Sequence, residues 1–433
     1  MKPTAPPGIS FGGESHLITI APSRSGKARD VLIPALLSPH VGPAIVVDPK
    51  GQLAAVTARQ RRQDGRRVDC LNPFAIFTDR LGTPVPYNPM SSLDPASPSF
   101  GADCDSMAQD VIWPTGSDAH WSDSARPPTS GFIMYFAKYG EPDMRNLVTV
   151  RAVIAGPPSL FKATVDAAMK TGDILIMERL SRFAEMSDDD REARSILSVM
   201  KTQTAFIGNE AIRASLKGSG VKFAGAREGT DATYYLILPG EYLHTCGKWF
   251  RLVVGSALRE LMQNAKGKQV LFMLDEFAQL GRMDAMETAI ALSAGYGIRL
   301  WPVLQDLNQL KDLYPKNWET FLANAGVHQF FTPRDLTTAE YLSTRCGQRT
   351  VLVKNTSTRE ISKKESRGGF TGFSHSYSPQ SRPLFLPQEI MGMRRDRQLL
   401  FLNDVENVVV GGRQPYWTMP ELAGTYDPDP YHA

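Results

Sequence analysis

Four side chains in this sequence have the types and spacing that nucleotide chemistry requires: Lys27, Asp275, Glu276 and Gln305. Lys27 follows Pro22-Ser23-Arg24-Ser25-Gly26, a turn entered from the apolar run Leu17 to Ile20. Strand, backbone-rich turn, lysine and helix start make the layout of a phosphate-binding loop. Its N–H groups and helix dipole hold phosphate oxygens, and the lysine adds a point charge. The full pattern, G-x-x-x-x-G-K-[ST], is not met. Ala21 stands at the first glycine, and Ala28 stands where a hydroxyl would meet Mg²⁺. Pro22, Ser23, Arg24, Ser25, Gly26, Lys27 and Ala28 are therefore candidate nucleotide-binding residues. Taken alone, they fit an ordinary strand–turn–helix joint better.

Val270 to Leu274 is continuously apolar and ends in Asp275-Glu276. A carboxylate at such a strand tip can hold Mg²⁺, and the adjacent glutamate can orient and deprotonate an attacking water. An Asp-Glu turn after a core strand is the plain alternative. A further apolar strand, Ile298 to Leu304, ends at Gln305. Beside Glu276, its amide would meet a γ-phosphate or the water; otherwise it caps the next helix. Asp48 and Lys50 end the run Ala44 to Asp48 and are further candidates to line the site, or else a simple ion pair in a turn. Three strand tips carrying the residue types of a nucleotide hydrolase outweigh the plain reading of each.

These tips need a sheet to gather them. Strand-like runs alternate with helix-like ones: strands at 16–20, 44–48, 67–71, 233–238, 270–274, 299–304 and 327–331, and helices at 27–37, 52–64, 250–265, 284–294 and 318–325. Such alternation predicts an α/β fold with a mainly parallel central sheet, whose ligand crevice lies at the strands' carboxyl ends. From about Cys104 the pattern turns helical, as in Phe132, Ile133, Tyr135 and Phe136, and strand signals return only at Thr233. The expected division is 1–103 and 216–433 as two parts of one nucleotide-binding domain, with 104–215 as an all-α insertion. Within it, Ser187-Asp188-Asp189-Asp190 reads as a helix start capped by Ser187 rather than as a metal site. Residues 1–13 read as a loose leader, and Lys354 to Ser381, polar and Gly/Ser-rich, as a mobile loop.

The chain has 433 residues, 42% hydrophobic and 21% charged, ordinary globular usage with enough apolar content for a sizeable core. A net charge of +3 is too mild to imply a nucleic-acid partner by itself. Cys70, Cys104, Cys246 and Cys346 are widely spaced and form no zinc pattern, which fits reduced thiols in a cytosolic protein. No apolar run is long enough to span a bilayer. Arg59, Arg61, Arg62, Arg66 and Arg67 cluster at the end of the second helix, and Arg394, Arg395 and Arg397 form a second cluster. Each reads as a solvated face, unless it lines a channel and tracks phosphates.

The motifs together resemble the TraG-type coupling proteins of type IV secretion. The resemblance is carried by Ala21 to Lys27, Val46-Val47-Asp48-Pro49-Lys50-Gly51, Leu274-Asp275-Glu276-Phe277, and Ala294-Gly295-Tyr296-Gly297-Ile298-Arg299 leading to Gln305. Leu322 to Val327, Phe330-Phe331-Thr332-Pro333, Asp335 to Leu342 and the tail from Arg382-Pro383-Leu384 to Glu389-Ile390 extend it over the chain from about His16. It implies a RecA-like P-loop NTPase with an inserted all-α domain, assembling as a homo-hexamer. It also implies ATP hydrolysis with Mg²⁺, used to deliver relaxase-bound single-stranded DNA or protein effectors to a secretion channel at the bacterial inner membrane. On this resemblance Lys27 binds the β- and γ-phosphates, Asp275 serves Mg²⁺, Glu276 the water and Gln305 the γ-phosphate. An arginine acting from a neighbouring subunit is also implied, with Arg299, Arg334 and Arg345 as candidates.

The sequence departs from the family at three points. Members usually begin with a membrane-anchoring region, and none precedes the loop here, so a cytoplasmic or peripheral chain is expected. Ala28 cannot ligate Mg²⁺, which leaves a non-hydrolysing, cargo-recruiting adaptor as the alternative to a motor. Pro127-Pro128 falls where relatives run one helix. Proline inside a helix costs about 3 kcal/mol, so a break is expected there.

Overall fold

The computed structural model describes residues 13–114, 119–187, 190–218, 220–228, 231–359 and 372–431. Its strands are β1 (His16–Ile20), β2 (Ala44–Asp48), β3 (Arg67–Leu71), β4 (Ala232–Ile237), β5 (Val270–Leu274), β6 (Ile298–Leu304), β7 (Ala325–Phe331), β8 (Gln348–Arg359), β9 (Gly372–Pro383), β10 (Arg397–Leu402) and β11 (Val409–Gly412). Nine of them form one sheet in the order β11-β10-β7-β1-β6-β5-β2-β4-β3. From β7 to β3 all pairs are parallel, and β10 and β11 add antiparallel at the edge. All five residues of β2 and of β5 are buried, the reason residues 44–47 and 270–274 read as unbroken apolar runs.

Register brings the strand tips together. Val47 is level with Leu274, so Asp48 and Asp275 stand side by side. Ile20 is level with Leu304, and the Ala21 N–H bonds the Leu304 carbonyl at 2.8 Å, which sets the phosphate-loop candidate next to Gln305. The order β7-β1-β6 places the chain's first strand between two late ones. The crevice therefore opens where segments far apart in sequence meet.

Between β3 and β4 the chain is helical, including Phe100–Val111, His120–Tyr139, Leu147–Ala155, Pro158–Lys170, Ile174–Ala184 and Arg191–Gln203. The break expected at Pro127-Pro128 is not there: His120–Tyr139 runs through both prolines. Packing offsets the local penalty. The buried face Ala125, Pro128, Phe132 and Phe136 is held against Phe100–Val111, Ile174–Ala184 and Arg191–Gln203. Arg126 Nε also bonds the Ile112 carbonyl at 3.1 Å, tying the proline turn to its neighbour. The cap of the Arg191 helix is Asp190, whose carboxylate accepts from the Ala193 N–H at 2.9 Å, not Ser187; Asp188 and Asp189 lie outside the described residues.

Two more expectations are corrected. Much of Lys354 to Ser381 is not a loop but part of an antiparallel ribbon, β8 on β9, with Gln348 opposite Pro383 and Arg359 opposite Gly372. Thr350, Val351, Val353 and Thr356 supply β-branched residues. Both ribbon faces are largely exposed, so no hydrophobic alternation marks it; residues 360–371, within the expected loop, lie outside the described residues, as do 1–12 of the expected leader. The arginines after the second helix are also not a simple solvated face. Arg61 is fully buried and donates to Thr233 Oγ1 at 2.6 Å and to the carbonyls of Leu36 at 2.8 Å and Gly42 at 2.7 Å. No helix of the described residues is long and apolar enough to cross a membrane.

Candidate nucleotide site

Lys27 ends the turn that leaves β1. The Ser25 N–H bonds the Pro22 carbonyl at 3.1 Å and the Asp30 N–H bonds the Gly26 carbonyl at 2.8 Å, which closes the loop onto its helix. The first helical residues, Ala28–Leu32, are wound as a π-turn. Gly26 has φ of 92°, a conformation that disfavours any side chain. The N–H groups of Gly26, Lys27 and Ala28 meet no protein acceptor among the described residues. Successive free donors at a helix start make an anion-binding concavity. The Ser25 hydroxyl is buried there and also lacks a partner among the described residues.

The lysine reaches both carboxylates. Its Nζ lies 2.8 Å from Asp275 Oδ1 and 2.6 Å from Glu276 Oε1, and the three side chains are 14%, 13% and 22% exposed. Burial alone would depress the ammonium, but the two carboxylates outweigh it and raise its pKa above the usual lysine value. Burial raises Asp275 above the ordinary carboxylate range despite Lys27. For Glu276 burial pushes upward too, but Lys27 and the Gln305 amide prevail and hold it low. Glu276 is thus the stable anion of the pair. Its backbone sits at φ 53°, strained for a residue with a side chain, and its N–H bonds Asp275 Oδ1 at 3.0 Å. Gln305 Nε2 donates to Glu276 Oε2 at 3.1 Å, while the Gln305 N–H is held by Gln309 Oε1 at 2.9 Å. Lys27, Asp275, Glu276 and Gln305 therefore form one hydrogen-bonded group supplied by β1, β5 and β6.

Asp48, beside them, is buried, and one oxygen accepts from the Ala54 N–H at 2.8 Å. Burial, opposed by backbone donors and helped by the nearby Asp275, pushes its pKa up to about 7. The folded state then holds a proton that the unfolded state releases at much lower pH, so this group's contribution to stability falls as pH rises from about 4 to 7. Asp48→Asn is expected to melt above the wild type at pH 8, with the gap closing toward pH 5. Parallel thermal melts across that range check it.

Of the arginines singled out for an action between subunits, Arg299 lies at the start of β6, remote from Gln305 at its end. Arg345 donates to His328 Nδ1 at 2.7 Å and stacks on Phe401 at 4.4 Å. Arg334 is exposed just beyond the carboxyl end of β7, on the site's side of the sheet. Of Pro22 to Ala28, Ser23 and Arg24 are exposed, while Ala28 packs partly into the core. Two contacts to the loop were not foreseen from sequence: Arg413 Nη1 bonds the Ser25 carbonyl at 2.7 Å and Asp30 Oδ2 at 3.0 Å. No local pattern around Arg413 announces either contact.

The family described as type IV secretory system conjugative DNA transfer matches residues 7–425. The chain belongs to this family. It is 26% identical over 408 residues to the conjugal transfer protein TraG of Escherichia coli, covering 89% of this chain and 62% of that protein. To TraG of Agrobacterium fabrum (strain C58 / ATCC 33970) it is 29% identical over 414 residues, covering 90% and 58%. To the protein VirD4 of Rhizobium radiobacter it is 26% identical over 424 residues, covering 94% and 56%. The chain thus spans about three-fifths of these coupling-protein relatives. Among solved structures, the plasmid coupling protein TrwB in complex with ADP and Mg²⁺ aligns with a TM-score of 0.67 at 15% identity, over 93% of this chain and 85% of that one. The conjugative coupling protein TrwBdeltaN70 in an unbound form gives 0.66 at 15%, with the same coverage. At that identity the likeness speaks for the fold, which is RecA-like with a mainly parallel sheet, as the sequence led one to expect.

Proposed function

We propose that this coupling-family chain is an ATP-hydrolysing motor that recruits relaxase-bound single-stranded DNA or protein substrates and delivers them to a type IV secretion channel at the inner membrane. One observation carries the reading: the Lys27–Asp275/Glu276–Gln305 group, with three free N–H donors at the loop beside it. The TrwB structures with an ATP analogue and with ADP and Mg²⁺ support nucleotide as the ligand.

In this reading the N–H groups of Gly26, Lys27 and Ala28 donate to the β- and γ-phosphate oxygens, and Lys27 turns from the carboxylates to the phosphate charge. Glu276, kept ionised, orients the attacking water and takes its proton. Gln305 steadies Glu276 and faces the γ-phosphate. No cluster of three or more His, Cys, Asp or Glu that could hold a metal exists among the described residues. Asp275 as the single ligand fits magnesium, which takes most of its oxygens from phosphates and water. When bound, the ion neutralises charge developing on the phosphates. Residues 104–215 serve as the cargo-facing insertion between the two parts of the nucleotide-binding domain. Copies assemble as a hexamer, and Arg334 is the best-placed of the three arginines to reach a neighbour's site.

Phosphate release by the wild-type protein, measured with ATP and Mg²⁺ over a range of protein concentrations, tests this. Turnover that rises with single-stranded DNA is expected. No turnover in any oligomeric state would overturn the motor and favour the cargo-recruiting adaptor, to which Ala28 lends weight.

A further inference from the structure

We infer that Arg413, in the C-terminal tail, is a positioning residue for the phosphate loop: by holding the Ser25 carbonyl, it aims the Gly26 N–H at the bound phosphate. This rests on the loop being the phosphate site proposed above. In a planar trans peptide, the carbonyl of one residue and the N–H of the next point in opposite directions. With the Ser25 oxygen drawn toward Arg413 at 2.7 Å, the Gly26 N–H must face away from the tail. That donor is one of the three that meet no protein acceptor. Gly26 at φ 92° makes the orientation soft, because glycine lets the peptide plane before it rotate at little steric cost. Something outside the loop has to hold it.

Arg413 is itself firmly held. It follows β11 at the sheet edge, its N–H bonds the Asp396 carbonyl at 2.7 Å, and its Nε reaches the Arg397 carbonyl at 3.3 Å. Its side chain is 2% exposed, and the guanidinium lies 3.7 Å from the centre of the Phe331 ring. Asp30 Oδ2 at 3.0 Å neutralises it, and Asp30 also takes the Arg29 Nε at 2.5 Å. A guanidinium can meet a carbonyl and a carboxylate at once, which an ammonium on a flexible stem does less well. The carbonyl contact is therefore separable from the ion pair, and the two predict different outcomes.

Equilibrium titration with a fluorescent ATP analogue separates them, with thermal melts run alongside. Arg413→Ala is expected to bind about tenfold more weakly than the wild type, the size of one charged hydrogen bond. Arg413→Lys should fall in between. Asp30→Asn leaves the carbonyl contact in place and should stay within about twofold. Equal binding by the wild type and Arg413→Ala would overturn the inference, as would an Asp30→Asn loss as large as that of Arg413→Ala. If Arg413→Ala does not fold, Arg413→Lys binding more weakly than Asp30→Asn supports the inference and the reverse order removes it. A wild type that binds no nucleotide strikes instead at the phosphate site itself, and the inference goes with it.

Discussion

Lys27→Ala should bring ATP turnover to background and weaken ATP binding, whereas Glu276→Gln should abolish turnover and leave binding within a few-fold. The difference follows from what each side chain does. Lys27 is the only cation bonded to Asp275 and Glu276 among the described residues, at 2.8 and 2.6 Å, and it supplies the positive charge that a phosphate would meet. Removing it leaves two largely buried carboxylates adjacent and uncompensated. One of them must then take up a proton, and the site turns from anion-attracting to anion-repelling. Glu276→Gln keeps the shape of the side chain and a carbonyl oxygen for the Gln305 amide. It loses the base and the charge paired with Lys27, while Asp275 still holds the ammonium at 2.8 Å. A missing general base costs about 10²–10⁴ in rate, and a missing charge-stabilising donor about 10²–10³. Phosphate release and nucleotide titration on the same preparations read both effects. Wild-type turnover in Glu276→Gln would take the glutamate out of the chemistry.

The residues of this group were legible because each announces itself locally. Lys27 follows a turn after an apolar strand, Asp275-Glu276 ends another, and Gln305 ends a third. The parallel α/β alternation then dictates that strand tips share one edge. What the sequence could not carry was contact set by distant packing. Arg413 reaches Ser25 only because β10 and β11 add antiparallel beyond β7, an arrangement that no short window encodes. Composition misled at Arg61, where a run of arginines hides one fully buried member with four acceptors. It misled again at the β8–β9 ribbon, whose exposed faces carry no alternation. At Pro127-Pro128 propensity was overruled by the helices packed on three sides, so a local cost did not decide the local structure.

Gly281→Ala is expected to destabilise the protein by about 2–5 kcal/mol, about 1–3 for overpacking against the tryptophan and about 1–2 for a side chain in the left-handed region. Gly281 closes the turn Phe277–Leu280 that follows Asp275-Glu276, and its φ of 67° already disfavours a side chain. A Cβ there would overlap the ring of Trp113. That tryptophan stands just past the Phe100–Val111 helix, so the indole joins the helical segment between β3 and β4 to the turn that follows Glu276. Arg251 locks the junction. Its guanidinium lies 4.6 Å from the centre of the Trp113 ring and donates to the carbonyls of Asp110 at 3.1 Å, of Gln109 at 3.3 Å and of Arg282. Movement of that helical segment would thus reach the turn behind the strained Glu276 backbone through Trp113 and Arg251. Trp113→Ala should cost a similar amount by leaving a cavity, but the double variant should cost much less than the sum, because the overlap disappears with the ring. Chemical denaturation of the two single variants and the double variant measures that coupling. Additive losses would mean that Trp113 and Gly281 act independently, leaving Arg251 as the tie between that helical segment and the turn.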